Sequence, residues 1–479
     1  TLLAPYLRKF GCYTVPDFVG TRYGGNLARL CAVIVLTVAS FTYVTAQINA
    51  TGTIASVALD IDFKYAVYIG LISILLCSML GGMRAVTWTQ VAQYIVLIIA
   101  YMLPIFWISN KMGAGFFPHF MLADEVARIG ELEQQFGFIK NSAADLATVP
   151  KGLAGITKAH SAVNATPWAF ISLALAMMMG TASLPHVMMR YFTTPSVKAA
   201  RKSVGWSLFF IFLLYSSAPM LATLSKLSLI DPTLPTGIIG KSFAEVQSLD
   251  WFQNWNSANL MFISDFNGNG TLELNEFFMG GKAVVLATPE IAGLPYVISG
   301  LVAAGGMAAA MSTADGLILA IANAISHDVY YKMIDPKAET AKRLLVARVL
   351  LVVIGFAGAT IAAMEIQGIL GSVIWAFDFA MSGLFFPLVL GVWWKRANRE
   401  GAIAGMVLGL GSAIWYLVWV RTGGSGFLGL TQLTFGIFGA AVSCIAMVVV
   451  SLMTSAPEAA IQKMVDEVRI PSGRTVTGK

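Results

Sequence analysis

Charged residues are scarce in this sequence: Asp, Glu, Lys and Arg together make up 12% of its 479 residues, whereas 57% are hydrophobic. The mean hydropathy is +0.74. This balance favours a polytopic helical membrane protein over a soluble multidomain enzyme, because apolar stretches of about 20 residues cross a bilayer as helices. The 45 glycines fit the same class, since small residues let membrane helices approach closely.

Cysteines are few, and the common catalytic motifs are missing. The four cysteines are scattered along the chain and show neither a disulfide framework nor a metal-binding spacing. The sequence has no His–Glu metal box, no nucleophile elbow and no phosphate-binding loop, so nothing in it indicates an enzyme. The net charge of +6 requires no nucleic-acid partner, because basic residues collect between the apolar segments.

Ten hydrophobic segments predict an all-α transmembrane domain over residues 1–453. These segments cover residues 27–50, 64–80, 86–109, 167–189, 203–227, 291–325, 342–364, 366–394, 400–420 and 428–453. The chain opens on TLLAPYLRKF, which reads as the last turns of a further helix, with neither an initiator Met nor a charged leader before it. We therefore expect an N-terminal truncation.

The distribution of basic residues predicts the orientation of the bundle. Every alternate connection is short and basic, as the positive-inside rule requires of cytoplasmic loops; Arg190 and Arg201, for example, lie between the fourth and fifth segments. This pattern predicts a multi-pass protein of the cytoplasmic membrane with the tail 454–479 in the cytoplasm. The long connections 110–166 and 228–290 would then face outward.

Polar residues within the apolar segments mark candidate sites, because a polar group is costly to bury in lipid. In the sixth segment Ser312, Thr313 and Asp315 lie within one turn, where hydroxyl and carbonyl oxygens would suit a sodium ion. The alternative is that the two hydroxyls merely bond back to helix carbonyls. Asp378, in the eighth segment, is either a coupling or substrate group or a partner of a neighbouring helix.

Two other stretches hold candidate groups for a substrate site. Gln47 ends the first segment and either lines a cavity or occupies a helix end. The stretch GTASLPH includes Gly180, Thr181 and His186, and its glycine and proline interrupt the helix. Broken helices place binding sites near the bilayer midplane in transporters, whereas a simple proline kink is the alternative.

Residues 265–276, DFNGNGTLELNE, match the calcium-binding loop of an EF-hand. The predicted ligands are Asp265, Asn267, Asn269, Thr271 through its carbonyl, Glu273 and Glu276. Gly270 occupies the position of the sharp turn, although Asn, Asp and Gly also cluster in ordinary turns. A lone, Asn-rich loop in an outward connection predicts weak binding, at about 10⁻⁴–10⁻³ M calcium, and a structural role.

Five motifs in order carry a resemblance to a known family. They are TVPDFVGTRYG (14–24), GGMRAVTWTQ (81–90), LPHVMMRYFTTPSVKAARKS (184–203), AAAMSTADGL (308–317) and WWKRANREGAIAGM (393–406). On these motifs the chain resembles the sodium:solute symporter family over essentially its whole length. The second motif is similar to that family's loop signature, and the fourth to its sodium-site helix.

The resemblance implies a LeuT-like fold of two inverted five-helix repeats, with thirteen spans when complete. Residue 1 would fall near the end of the third span, and the missing part would include the first core helix. The implied sodium ligands are the Ala309 carbonyl and the hydroxyls of Ser312 and Thr313. Substrate would lie between the first, fourth, sixth and eighth segments, near Gln47, the 180–186 break and the Asp378 helix.

Departures from the family pattern bear on the substrate. Sugar-transporting members carry Asn-Gln-Tyr where this chain has Leu184, Pro185 and His186, and proline- and sugar-type members usually place Asp where it has Gln90. Acetate-permease-like members resemble the chain at both places. The resemblance therefore favours a sodium-coupled symporter that imports a short monocarboxylate such as acetate, with proline or another small organic acid as the alternative.

Two other classes are weighed against this function. A transporter-like sensor would usually carry a signalling module, but only about 25 residues follow the tenth segment. A calcium-gated channel is suggested by the loop 265–276 alone, without a ring of membrane carboxylates. The expected partners are the lipid bilayer and a small organic anion; the resemblance leaves a small membrane subunit and the oligomeric state open.

Overall fold

The computed structural model describes residues 3–113, 118–137, 149–150, 167–470 and 475–476, with the backbone alone for residues 80–85. Its helices, numbered α1 to α18, are Ala4–Phe10, Val15–Tyr23, Asn26–Leu59, Phe63–Lys111, Leu122–Gln135, Pro167–Thr181, Pro185–Phe192, Val197–Ile230, Phe243–Gln247, Asp250–Ser257, Val284–Ile291, Tyr296–Asn323, Thr340–Ala363, Ile369–Ala380, Phe386–Trp393, Arg399–Arg421, Gly436–Met453 and Ala459–Arg469. Two short strands, β1 (Met261–Ile263) and β2 (Phe277–Met279), pair antiparallel. The predicted connection 110–166 lies mostly outside the described residues.

The helices form a polytopic membrane bundle. Among the described residues, eight helices are long and apolar enough to cross a membrane, and the bent pair α6–α7 makes a ninth if it is counted as one span. The sequence predicted ten spans. The difference lies in α4, where the apolar stretch Phe63–Met79 is shorter than the helices that qualify.

Helix α4 differs from the prediction because the chain stays helical through the expected connection between residues 80 and 86. Its 49 residues run from Phe63 to Lys111 as one assigned helix. The glycines 81 and 82 lower helix stability by only about 1 kcal/mol each relative to alanine, so they do not by themselves end it. At 1.5 Å per residue, a helix of this length is too long to cross a hydrocarbon core of about 30 Å only once. It contains two separate apolar stretches, Phe63–Met79 and Val86–Lys111.

Three of the long apolar segments change helical geometry along their length. Helices α6 and α7 are bent by 41° at the break before Pro185, which takes the first position of α7. Helix α12 continues as a π-helix from Ala324 to Ile334, and a π-helical turn, Met381–Phe385, joins α14 to α15. Such π-helical stretches are rare and often lie at functional sites.

Helix α12 packs against α3 and α4, while α3 also packs against α14. Small residues permit these approaches: a Cβ at Gly305 of α12 would overlap the side chain of Ala100 on α4. Helices α16 and α17 pack against each other and against the π-helical turn after α14. Close helix packing at small residues is the usual solution in lipid.

The connection 228–290 folds as a compact unit with its own hydrophobic core. This core includes Trp255, Leu272, Phe277 and Met279, each almost fully buried. Two ion pairs, Lys226 with Glu133 and Arg128 with Asp231, attach α5 to the end of α8. Burial raises the pKa of the Glu290 carboxyl group in α11. The hydrogen bond that Trp255 Nε1 donates to this carboxylate at 2.8 Å lowers the pKa by a smaller amount. The unit is therefore ordered and not an unstructured loop.

Candidate functional site

The three predicted sodium ligands lie together on one turn of α12. Ser312 Oγ donates to the Ala309 carbonyl at 2.9 Å, and Thr313 Oγ1 reaches the same oxygen at 3.3 Å. Both hydroxyls therefore bond back to a helix carbonyl, which is the alternative to a sodium site that was weighed from the sequence. The same geometry brings three hard oxygens within contact of one another, and all three residues are half-buried.

A cavity of about 320 Å³ opens beside this turn, between α4, α8 and α12. Ala309 lines it together with the glycines at 305 and 306, and its other walls are apolar. The lining residues are Leu97, Ala100, Tyr101, Leu214, Tyr215, Ala218, Val285 and Val302.

Asp315, two residues after Thr313, is fully buried. Ser78 Oγ of α4 donates to Asp315 Oδ1 at 2.8 Å. Arg190, at the end of α7, donates to Gln90 Oε1 at 2.7 Å and to Thr87 Oγ1 at 2.8 Å. The sequence had placed Arg190 among loop charges, but the structure turns it into the bundle toward α4 and α12.

Residues of the predicted break approach α3 and α14. Gly180 is buried against Phe377, and a Cβ at position 180 would lie 2.5 Å from the Phe377 Cβ. The His186 ring meets the Tyr43 ring edge-on at 5.7 Å, and Tyr43 in turn contacts Phe377. Tyr43, His186 and Phe377 therefore form what we call the aromatic cluster, and Gly180 packs against it through Phe377.

The remaining predicted substrate groups divide between two places. Gln47 is half-buried on α3 and follows Tyr43 by one turn, so it shares the face that meets the aromatic cluster. Thr181 is exposed and bonds back to the Met177 carbonyl at 2.6 Å. Asp378 is fully buried but faces the beginning of α17, where a Cβ at Gly436 would lie 2.6 Å from Asp378 Oδ1. The structure therefore does not bring Asp378 to the aromatic cluster.

A buried charged cluster at α2 was missed by the sequence reasoning. Thr14 Oγ1 donates to Asp328 Oδ2 at 2.6 Å, and Arg29 lies 3.7 Å from Asp17 and 3.8 Å from Asp328. Asp17, His327 and Asp328 could by distance share a metal ion, but Arg29 already places a positive charge between the two carboxylates. Thr14 and Asp17 lie within the first of the five motifs, and Arg29 follows that motif in α3; this was the available signal.

The loop 265–276 is closed by its own polar groups. Asp265 accepts hydrogen bonds from the amides of Gly268 at 2.7 Å and Gly270 at 3.0 Å. Glu276 is fully buried and bonds the amides of Phe266 and Glu273, each at 3.0 Å. Asp265 and Glu276, the first and last predicted ligands, are therefore both held by backbone amides of the loop itself.

The central ligands of the loop also converge. Asn267 Nδ2 and Asn269 Nδ2 both donate to Glu273 Oε1 at 2.9 Å. Gly270 has a positive φ of 73°, as the predicted sharp turn needs, and Leu272 is fully buried. Strands β1 and β2 flank the loop, in contrast to the two helices of an EF-hand. The match to an EF-hand is therefore confined to the loop itself.

Known proteins are similar to this chain along nearly its whole length. An uncharacterized symporter from Cupriavidus necator is 35% identical over 98% of this chain and 81% of its own. The monocarboxylic acid transporter of Corynebacterium glutamicum is 27% identical over 86% of this chain and 67% of its own. A solved Na⁺-coupled sialic acid symporter, substrate-bound and outward-open, has a TM-score of 0.61 with 16% identity, covering 95% of this chain and 80% of that one.

The structural match confirms the predicted LeuT-like fold, and the fold and family are those of secondary transporters, not enzymes. The model of the sodium:solute symporter family matches residues 1–227 and 282–409. The gap in this match contains the loop 265–276, so the loop lies outside the residues that the family model matches. With most of its length matched, the chain belongs to the sodium:solute symporter family.

Proposed function

We propose that this protein imports a short monocarboxylate such as acetate together with sodium, by alternating access. The observation that carries this substrate class is the similarity to a monocarboxylic acid transporter over 86% of the chain. The family supports coupling to sodium. The Pro185–His186 pair at the broken helix supports a carboxylate over a sugar, as argued from the sequence.

The beginning of α7 suits the carboxylate of such a substrate. Leu184 caps this helix without a side-chain hydrogen bond, and Pro185 has no amide hydrogen to donate. The next backbone amides of the first turn lack helical acceptors, and the positive end of the helix dipole adds to their attraction for an anion. His186 and Tyr43 would cover the apolar part of a small acid, with Gln47 near by.

Sodium is proposed to bind at the Ala309 carbonyl and the hydroxyls of Ser312 and Thr313. In that state each hydroxyl would direct an oxygen lone pair at the ion while its hydrogen stays on a helix carbonyl. One ion that moves through 100 mV supplies about 2.3 kcal/mol before its concentration gradient is counted. For one sodium with one monoanion these electrical contributions cancel, and the sodium concentration gradient drives uptake.

A calcium ion is proposed to bind the loop 265–276 and to stabilise the unit 228–290. Carboxylate and amide oxygens are the ligands that calcium prefers, and the proposal is supported by the hydrogen bonds that hold Asn267 and Asn269 against Glu273. The unit would face outward and the tail 454–479 would lie in the cytoplasm, as the basic connections favour. Calcium would then act as an external structural ion and not as a cytosolic signal.

Uptake into proteoliposomes tests the proposed function. The intact protein is reconstituted, and [¹⁴C]acetate uptake is measured with an inward sodium gradient and with choline in its place. We expect uptake with sodium only, and competition by unlabelled acetate, pyruvate or lactate but not by proline. Competition by proline without competition by the acids would replace the proposed substrate with an amino acid.

A further inference from the structure

An ion pair joins the unit 228–290 to the connection between α13 and α14. Lys282, three residues after β2, donates a hydrogen bond to Glu365 Oε1 at 2.6 Å. The Lys282 ammonium also lies over the Phe63 ring at the beginning of α4, 4.9 Å from the ring centroid. One lysine of the unit therefore contacts two different elements of the transmembrane bundle, and its side chain is only 20% exposed.

The space around this pair is not closely packed. A cavity of about 680 Å³ lies between the unit and the beginning of α14, and both Lys282 and Glu365 line it. A second cavity of about 410 Å³, between the unit and the connection from α3 to α4, also reaches Glu365. Because protein interiors are usually filled to high density, cavities of this size leave the gap between the unit and α14 able to change in width with little loss of apolar contact.

The backbone of Glu365 adopts a conformation that side-chain-bearing residues rarely take. Its φ is +45°, in the left-handed region, where glycine or asparagine is usual at the end of a helix. The Glu365 amide donates to the Ala362 carbonyl at 3.1 Å, so this residue terminates α13. Glycine here would relieve the strain but would offer no carboxylate to Lys282. Strained residues cluster at switch regions and binding sites, which indicates a use for the Glu365 side chain.

Lys282 is also connected through ordered structure to the proposed calcium loop. Glu276, the last predicted ligand, is fully buried and directly precedes β2, whose three residues are buried as well. After β2, the Gly280 amide donates to the Leu260 carbonyl at 3.0 Å, and the Gly280 carbonyl accepts from the amide of the residue after Lys282 at 2.9 Å. Strand pairing and hydrogen bonds therefore hold the chain from the loop to the lysine.

We propose that the Lys282–Glu365 pair is a latch through which calcium in the loop 265–276 regulates transport. Calcium fixes Glu276, and β2 then holds Lys282 against Glu365. Helix α14 begins four residues after Glu365 and carries Phe377 of the aromatic cluster, so the latched state restrains one wall of that cluster. External calcium favours this state and slows uptake, because a ligand shifts an equilibrium toward the conformation that it binds better.

The exposure of the pair suits a contact that opens and closes. The Glu365 side chain is 54% exposed, and ion pairs with such access to water are weak, so the latch can break in each transport cycle. The inference rests on the proposed function, because it presupposes calcium in the loop and uses acetate uptake as one of its measures.

Uptake with and without calcium tests the latch. In proteoliposomes with millimolar calcium on both sides, the intact protein is expected to show about a twofold or greater fall in the initial rate of [¹⁴C]acetate uptake relative to a calcium chelator. K282Q and E365Q should each lose this response although calcium still raises their melting temperature. The exchange K282E/E365K should restore part of it. A K282Q protein with the full calcium response would overturn the inference.

A matched control removes a different exposed ion pair. K342Q separates Lys342 from Asp335, which lie 3.2 Å apart between α13 and the end of the π-helix, far along the chain from the unit. This variant is expected to respond to calcium like the unmodified protein. A response lost equally in K342Q and K282Q would mean that the loss does not come from the latch, and the inference would fail.

A distance measurement tests the latch without transport. Spin labels on D250C, in α10 of the unit, and L370C, in the first turn of α14, report the width of the gap by pulsed electron paramagnetic resonance; both positions are exposed. The half-buried Cys77 and Cys444 are replaced by alanine beforehand. Calcium is expected to narrow the distance distribution, and K282Q should abolish this narrowing.

The pattern of results separates this inference from the proposed function. If calcium raises the melting temperature but changes neither the distance distribution nor uptake, the calcium site stands and the latch is refuted. If calcium narrows the distances through Lys282 but acetate is not transported, the proposed substrate is wrong and the latch stands. If calcium leaves the melting temperature unchanged, the calcium site and the latch both fail.

Discussion

Gly180 and Phe377 bring the broken helix and α14 into direct backbone contact. A Cβ at Gly180 would lie 2.5 Å from the Cβ of Phe377, 2.9 Å from its carbonyl oxygen and 3.0 Å from its Cα. Two of these three atoms belong to the backbone, so no side-chain rotation can relieve the overlap. Because Phe377 also contacts Tyr43, this approach holds one wall of the aromatic cluster in place.

The first prediction concerns this approach. G180A is expected to push α6 away from α14 and to reduce acetate uptake at least tenfold, because a displacement of the order of 1 Å at a binding site can cost about 10²-fold. The measurement is initial uptake in proteoliposomes with matched protein amounts. G205A, at a glycine with open space around it, serves as the control. Equal uptake by G180A and the control would show that the approach does not matter for transport.

The second prediction concerns the sodium ligands. The double substitution S312A/T313A removes both hydroxyls from the Ala309 turn and is expected to raise the sodium concentration for half-maximal uptake at least tenfold. Saturating acetate should leave that shift in place. The control is S412A, which removes a half-buried hydroxyl that bonds back to the Gly409 carbonyl at 3.1 Å elsewhere in the bundle. An unchanged sodium dependence in the double variant would refute the assignment.

The sequence could predict the helical class and most spans, because apolar length reports burial in lipid directly. It could not predict that α4 continues through the glycines 81 and 82, since a loop between two spans and a continuous helix share the same composition there. It also could not predict the strands that flank 265–276. Those strands form because Met261 and Phe277 face a core that other parts of the same unit supply.

The candidate site was predictable only in part, for a related reason. Ser312 and Thr313 stand out because the two hydroxyls are adjacent and precede Asp315 in an apolar segment, and both reach the Ala309 carbonyl. Arg190 gave no comparable signal, because an arginine is ordinary at a helix end and its pairing with Gln90 spans 100 positions along the chain. Asp378 gave a strong signal, but the rotation that turns it toward α17 depends on helix packing.

The third prediction concerns the buried charges around Arg29. R29Q is expected to lower the melting temperature of the purified protein strongly, because it leaves Asp17 and Asp328 buried without their positive partner. Breaking a buried pair in this way costs about 3–5 kcal/mol. Adding D328N to R29Q should restore part of the loss, and this coupling separates a charge effect from a packing effect. Strictly additive losses in the double variant would contradict the ion-pair explanation.

The fourth prediction concerns calcium. Millimolar calcium is expected to raise the melting temperature of the intact protein, with half of the effect at about 10⁻⁴–10⁻³ M, because a ligand that binds only the folded state stabilises it. D265N keeps one acceptor for the amides of Gly268 and Gly270 but removes a ligand charge, so it should weaken the calcium effect at least tenfold. D250N changes an exposed aspartate of the same unit and should respond to calcium like the unmodified protein. A melting temperature that does not respond to calcium, or an identical response in D265N, would show that the loop is closed by its own hydrogen bonds alone.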